Sequence, residues 1–382
     1  METNQELAKP RSRQSVIAIL AMHDDLRPFR GNSQNFVDLI DTGQQHGVPI
    51  YVVTPRDLKI RRRMVTGYSY DKQTGTWVRH QIPRPSVIYN RLPYRKDELD
   101  PEVQEVIRQC MEHPRIRFYN PSFFNKWQLI EWLRQSQKTN KLIPHTVQWG
   151  PNVKLSPLFS RSPLIYLKPE SGKAGKGVMQ VRRRSGSEST YRLSVQTGKS
   201  AARYHFRTLK GLKAKLQELI GSEPYIVQQG ILLPRYKKRP FDLRVLVQKN
   251  EKGVWSLTGI GARLAGSKSI TTHVPRGGTI DDPFKLLSAA YGEEEAARIL
   301  SRVRNAAVTI ARQIEASNRS LIGEMSMDIG VDPNGSPWFF EANSKPMKFD
   351  EPHIRAKSLE NTVLYCKYLA SKANGKSKKS KD

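Results

Sequence analysis

Two stretches of this chain carry residue types that could do chemistry on a phosphate. In "MDIGVDPNGSPWFFEANSKP" (residues 327–346) the pair Asn334-Gly335 is a strong hairpin-turn signal. A turn at those two residues pairs Pro333 with Ser336 and, counting outward, sets Asp328 opposite Glu341. A one-residue bulge would shift that register. Alternation along the second strand puts Glu341 and Asn343 on the same face. Asp328, Glu341 and Asn343 then converge on one patch of sheet, among Phe339, Phe340 and Ala342, where an unpaired carboxylate is costly. Oxygen donors gathered in this way suit Mg2+, which retains waters and bridges phosphates. The competing reading is that these acids pair with some of the many arginines.

The second stretch is "LIYLKPESGKAGKGVMQV" (164–181), a glycine-rich loop between two apolar runs. It is not a P-loop: Gly172 and Gly177 have the spacing, but Val178 stands where the lysine is needed. It is not a dinucleotide fingerprint either, because G-x-x-G-x-G leads into strand-like residues rather than a helix. What remains is a flap between antiparallel strands. Gly172, Gly175 and Gly177 let backbone amides close over phosphates, with Lys173 and Lys176 adding charge. Lys168, at the end of the preceding strand, would lie beneath as a point charge. Taken alone, the loop is equally an ordinary lysine-bearing hairpin. Between the two stretches, "FDLRVLV" puts Asp242 and Arg244 on one strand face, and "GIGARL" carries Arg263 ahead of "TTHVPRGGTI". Arginines set in apolar strands fit the neutralising of phosphate charge, and exposure of one sheet face explains each of them singly.

The elements that would position these groups fall into two parts. "SVIAILAM", "NSQNFVDLIDTGQQHG" and "VPIYVVTP" read as strand, helix and strand, a βαβ unit of a parallel sheet. Asn32 or Ser33 caps that helix. A hairpin around "KQTG", the strand "SVIYNRLPYR" and the helix "PEVQEVIRQCMEH" complete an α/β domain over 15–120. A helix beginning near Ser122 or Asn125 opens the rest. Short strands follow, with helices at "LKGLKAKLQELIG", "GEEEAARILSRVRNAAVTIARQIEAS" and "AKSLENTVLYCKYLASK". That pattern implies an α+β module over 121–370, a first lobe to 230 and a second from 231, flanked by a loose tail at 1–14 and a Lys-rich tail at 371–382.

Bulk properties narrow the function. The 382 residues carry 64 basic against 35 acidic side chains, a formal charge of +29, which draws polyanions. The basic runs, among them "IRRRM" and "RYKKR", come without helix-turn-helix, zinc-finger or RNP signatures, which argues against a nucleic-acid partner. "VIAILAM" is far short of the roughly 20 apolar residues of a membrane span, so no membrane segment is expected. Cys110 and Cys366 form no metal-type or disulfide spacing and fit a reducing, cytoplasmic interior.

Taken in order, these motifs resemble the ATP-grasp superfamily. "GYSYDKQTGTWVRHQIPRPSVIYNRLPYR", "NKWQLIEWL", "IPHT" and "YLKPESGKAGKGV" resemble more narrowly the YheC/YheD family of endospore coat-associated ATP-grasp proteins. The resemblance spans about residues 15–370 and implies ATP and Mg2+ held between two α+β lobes behind a small pre-ATP-grasp domain. It implies that Lys126 and Lys168 meet the phosphates, that Gly172 to Gly177 form the flap, and that Gln228, Gln229 and Ile231 hold the adenine edge. It further implies Asp328, Glu341 and Asn343 as metal ligands, with Arg244 and Arg263 near the transferred group. His273 stands where the family pattern has asparagine; it contacts substrate or metal, marks weakened catalysis, or is simply tolerated. The implied activity is a carboxylate–amine ligase working through an acyl phosphate on unidentified substrates such as amino acids or peptides. The alternative is a structural protein of the spore coat that keeps the fold and binds coat proteins or acidic polymers through its basic surface.

Overall fold

The apolar run from Val16 is continuous because it is buried on both faces, as the central strand of a mostly parallel sheet must be. In the computed structural model, which describes residues 15–172, 175–184 and 190–375, it forms β1 (Ile17–Leu20). Ile17 and Ile19 pack toward Phe36 and Leu39 of α1 (Ser33–Gln45), while Ala18 and Leu20 face the opposite core. Asn32 caps α1, its Oδ1 accepting from the Asn35 N–H at 3.3 Å. The chain continues through β2 (Ile50–Val53), the hairpin β3 (Met64–Asp71) and β4 (Thr76–Pro83), β5 (Val87–Asn90), α2 (Arg95–Glu98), α3 (Pro101–Glu112) and β6 (Arg117–Tyr119). The sheet order is β4-β3-β2-β1-β5-β6. Near the end of α3, Cys110 is buried and Met111 exposed.

Next come α4 (Lys126–Arg134), capped by Asn125, and α5 (Gln137–Asn140). They precede the second sheet in sequence but pack elsewhere: Leu129, Ile130 and Leu133 lie in the core of the third sheet. The second sheet comprises β7 (Thr146–Gln148), β8 (Leu164–Pro169), β9 (Met179–Arg184), β10 (Thr190–Thr197), β11 (Ser200–Phe206) and β12 (Tyr225–Gln229), in the order β11-β10-β9-β8-β12-β7. Two helices, α6 (Ser156–Arg161) and α7 (Leu209–Ile220), cover one face through Leu158, Phe159, Leu212 and Leu216. Alternation therefore leaves Tyr166 and Lys168 of β8 on the uncovered face.

The third sheet is built from β13 (Arg235–Tyr236), β14 (Arg239–Lys249), β15 (Trp255–Leu264), β16 (Thr279–Asp281), β17 (Glu324–Val331) and β18 (Pro337–Asn343). Its main order is β16-β15-β14-β17-β18, with β13 paired to the start of β14. Helix α8 (Pro283–Tyr291) leads into α9 (Glu293–Asn318), whose Ile299, Val303, Ala307, Ile310 and Ile314 recur at helical spacing. They bury against Leu243, Val245, Met325 and Met327, so the alternate residues of β14 and β17 face the other way. Each fully buried Ile, Val, Leu or Met side chain among these contributes about 1.5–3 kcal/mol. The last helix, α10 (Pro352–Gly375), is longer at both ends than its sequence pattern suggested and continues past 371. Its Val363, Cys366 and Leu369 pack into the first domain. The molecule is thus an ATP-grasp-like α+β fold of three sheets. Lys173, residues 1–14 and 376–382 of the Lys-rich tail lie outside the described residues.

Candidate functional site

One rung of the third sheet carries the chemistry. Gly261 of β15 is opposite Arg244 of β14, Arg244 is opposite Asp328 of β17, and Asp328 is opposite Glu341 of β18. The pairing of Asp328 with Glu341 is the one expected, but it arises by a different route. A two-residue turn would need a Pro333 N–H to bond Ser336, and proline has none. The loop instead closes one residue earlier, with the Asp332 N–H donating to the Ser336 carbonyl at 3.0 Å and Asp332 Oδ1 accepting from the Asn334 and Ser336 amides. That sets Val331 against Pro337, one step from the expected register. A β-bulge at Phe340 takes the step back. Phe339 and Ala342 both lie in the core, so the bulge turns Phe340 and Glu341 together toward the cleft. Asn343, two residues on, is opposite Ser326.

The acids of this rung are held by cations. Asp328 is buried, with Oδ2 2.6 Å from Arg263 and Oδ1 3.3 Å from Arg244. Arg263 also contacts Asp242, the residue opposite it on β14, at 3.2 Å, and the Thr272 hydroxyl donates to Asp242 at 2.6 Å. Burial works against the Arg263 charge, yet Asp242 and Asp328 together keep the guanidinium more firmly protonated than usual. Glu341 lies 3.5 Å from Lys126 and 3.8 Å from His273 Nε2. Burial opposes its charge too, but Lys126 and His273 hold the carboxyl well below the usual carboxylate range.

Across the cleft, Lys168 Nζ donates to Gln228 Oε1 at 2.7 Å and lies 5.4 Å from the centre of the Phe340 ring. Burial pulls its ammonium down to about 8, with Glu341 pulling the other way. Lys126 Nζ donates to the Gly172 carbonyl at 2.9 Å, tying the root of the flap to the Glu341 side. Gly175 and Gly177 have φ of +70° and +74°, the left-handed region where glycine is favoured. The flap and the rung line opposite sides of one open cleft. Of the expected residues, Lys126, Lys168, Gly172, Gly175, Lys176, Gln228, Gln229, Ile231, His273, Asp328 and Glu341 line it.

Several expectations need qualification. The Gln229 N–H donates to the His145 carbonyl at 2.8 Å and the Gly230 N–H to Leu164 at 2.7 Å, so neither amide is available to a ligand. The Gln228 side chain is engaged with Lys168 and Thr146. Arg263 is spent on two carboxylates and fixes Asp328. Asp242, read from the sequence as sharing a strand face with Arg244, also lines the cleft, and so do Tyr166 and Phe340, to which the sequence reading gave no role there. Alternation two residues before Lys168 would have found Tyr166.

A family model described as YheC/D like ATP-grasp matches residues 115–369, two-thirds of the chain. The chain belongs to that family. Endospore coat-associated protein YheD of Bacillus subtilis (strain 168) is 29% identical over 354 residues, covering 91% of this chain and 76% of the relative. YheC of the same organism is 22% identical over 349 residues, covering 89% and 93%. Among solved structures, the D-alanine–D-alanine ligase of Coxiella burnetii aligns with a TM-score of 0.52 at 10% identity, covering 96% of this chain and 98% of its own. The ATP-grasp ligase PsnB complexed with minimal precursor aligns with a TM-score of 0.52 at 15%, covering 94% and 99%. At these identities the structural likenesses establish the fold. No helix among the described residues of this YheC/D-like chain is long and apolar enough to cross a membrane.

Proposed function

We propose that this YheC/D-like protein binds Mg-ATP and is an ATP-dependent carboxylate–amine ligase associated with the endospore coat, as its relatives' names suggest for them. The observation that carries the reading is that Lys126, Lys168, the glycine flap and the Asp328–Glu341 rung all face one cleft. The donor set fits a divalent cation, since Asp328, Glu341 and His273 offer ligand atoms within 4.8 Å of one another. Held by Asp328 and Glu341, with Asn343 two residues further along β18, the cation would draw charge from the phosphates. Lys168, oriented by Gln228, would meet a phosphate oxygen, and the flap amides would close over the chain of phosphates. Lys126 couples the flap root to Glu341, so lid and metal side come together. A substrate carboxylate would take the γ-phosphoryl group with ADP leaving, and an amine would then displace phosphate to give an amide. Arg244, partly exposed beside Asp328, would meet the developing negative charge.

One observation favours a second reading, a coat protein that binds nucleotide with little turnover. Both carboxylate oxygens of Asp328 already contact guanidinium groups. A single set of measurements separates the two. Mg-ATP at about 100 times its dissociation constant should stabilise the protein by about 2.7 kcal/mol, read as a raised melting temperature. Glu341→Ala should abolish the shift, and an unshifted wild type sinks both readings. Release of ADP on adding amino acids or short peptides marks the ligase; stabilisation without release under every such pair marks the binder.

A further inference from the structure

Among the described residues, the imidazole of His273 has no hydrogen bond that accounts for its position. Nε2 points between two carboxylates, 3.9 Å from Asp328 Oδ2 and 3.8 Å from Glu341 Oε1, beyond hydrogen-bond length to either. Nδ1 is buried and, among the described residues, has no hydrogen-bond partner. An imidazolium serving only as a counter-ion would close on one carboxylate at about 2.7–3.0 Å. Two ligands of one cation, each about 2.0–2.2 Å from it, stand about 3–3.5 Å apart, so a small contraction would bring all three donors onto a shared ion.

The ring is also held where it is. His273 leads into a single 3-10 turn, Val274–Arg276, and its carbonyl accepts from the Arg276 amide at 2.8 Å and the Gly278 amide at 3.2 Å. A Cβ on Gly278 would collide with the Thr272 carbonyl, so the loop can adopt this tight path only with glycine there. On the Nδ1 side lies the flap: a Cβ on Gly175 would stand 3.4 Å from that nitrogen. The loop, the flap and the two strands therefore fix an imidazole whose Nε2 faces two carboxylates.

Resting on the reading that this cavity takes a metal-bound nucleotide, we propose that His273 is a nitrogen ligand of the cation there, and that the site accordingly prefers Mn2+ to Mg2+. Mg2+ takes oxygen donors and would leave His273 aside, whereas first-row transition cations gain from an imidazole added to two carboxylates. The contacts of Arg263 and Arg244 with Asp328 do not preclude this, because each carboxylate oxygen has a second lone pair.

The test uses the full-length protein without a polyhistidine tag, titrated with Mn2+ alone and followed by electron paramagnetic resonance. Pulsed spectra of bound Mn2+ should show coupling to one imidazole 14N, and the coupling should change when histidine is supplied as the 15N form. In His273→Ala the coupling should vanish and Mn2+ affinity should fall by about tenfold or more, with the Mn2+ advantage over Mg2+ reduced alike. His273→Asn, which keeps a donor but not the imidazole, should lose the coupling as well. Bound Mn2+ without nitrogen coupling in the wild type, or coupling that persists in His273→Ala, overturns the inference. Failure of the nucleotide reading would show instead as an absent Mg-ATP shift in the wild type, a separate measurement.

Discussion

Lys168 gives nucleotide binding a pH signature. With its ammonium drawn down to about 8 by burial, the free protein holds Lys168 charged below that value and neutral above it. Arriving phosphates restore the charge, so binding should take up a proton in a window from about pH 8 upward, and affinity should be flat below pH 7 and fall above 8. Titration calorimetry in buffers of different ionisation enthalpy reads that uptake directly. Lys168→Met should cost about 1.5–3 kcal/mol of nucleotide affinity. Glycines test the flap in the same spirit. Gly177 and Gly47 have similar φ, +74° and +67°, but an added Cβ meets Pro169 Cγ at 2.8 Å in the first and nothing within 4 Å in the second. Gly47→Ala should lose only about 1–2 kcal/mol for the backbone conformation, and Gly177→Ala distinctly more, measured by urea unfolding.

The hairpin of β17 and β18 shows which features could be read from the sequence and which could not. Alternation placed Asp242 and Arg244 together, and cap signals narrowed two helix starts to a pair of candidates each, of which Asn32 and Asn125 are the caps, because those signals are local. The bulge at Phe340 left no mark in residue type, and only the core positions of Phe339 and Ala342 reveal it. Pro333 did carry a readable sign, since its missing N–H rules out the two-residue turn. The packing of α4 onto the third sheet and the approach of His273 to β17 join segments distant in sequence, where spacing says nothing. Deleting Phe340 should leave a regular ladder that keeps Asp328 opposite Glu341. The variant should fold yet lose the ring beside Lys168, weakening Mg-ATP stabilisation without abolishing it. A deletion that unfolds the protein, or one that binds Mg-ATP as tightly as the wild type, would contradict this account of the bulge.

Between domains, buried polar pairs do much of the joining. Arg91 of the first domain contacts Glu324 of β17 at 3.2 Å, Tyr89 bonds the same carboxylate, and Lys345 meets Glu98 of α2. Arg91→Met would leave Glu324 buried without its cation and should cost about 3–5 kcal/mol in denaturant unfolding. Helix α10 adds an apolar strap, with Ile354 on Leu246 and Phe349 and the later turns on the first domain. The seam between the second and third sheets is different. Its contacts are polar, as between Gln196 and Ser269 or Lys126 and Gly172, and among the described residues no apolar cluster crosses it. The molecule should therefore breathe as a two-part clam: one shell is the first domain and the third sheet, clasped by α10, and the other is the flap-bearing sheet swinging alone. Cutting the clasp would loosen the fixed shell, while loading the cleft would quiet the swinging one.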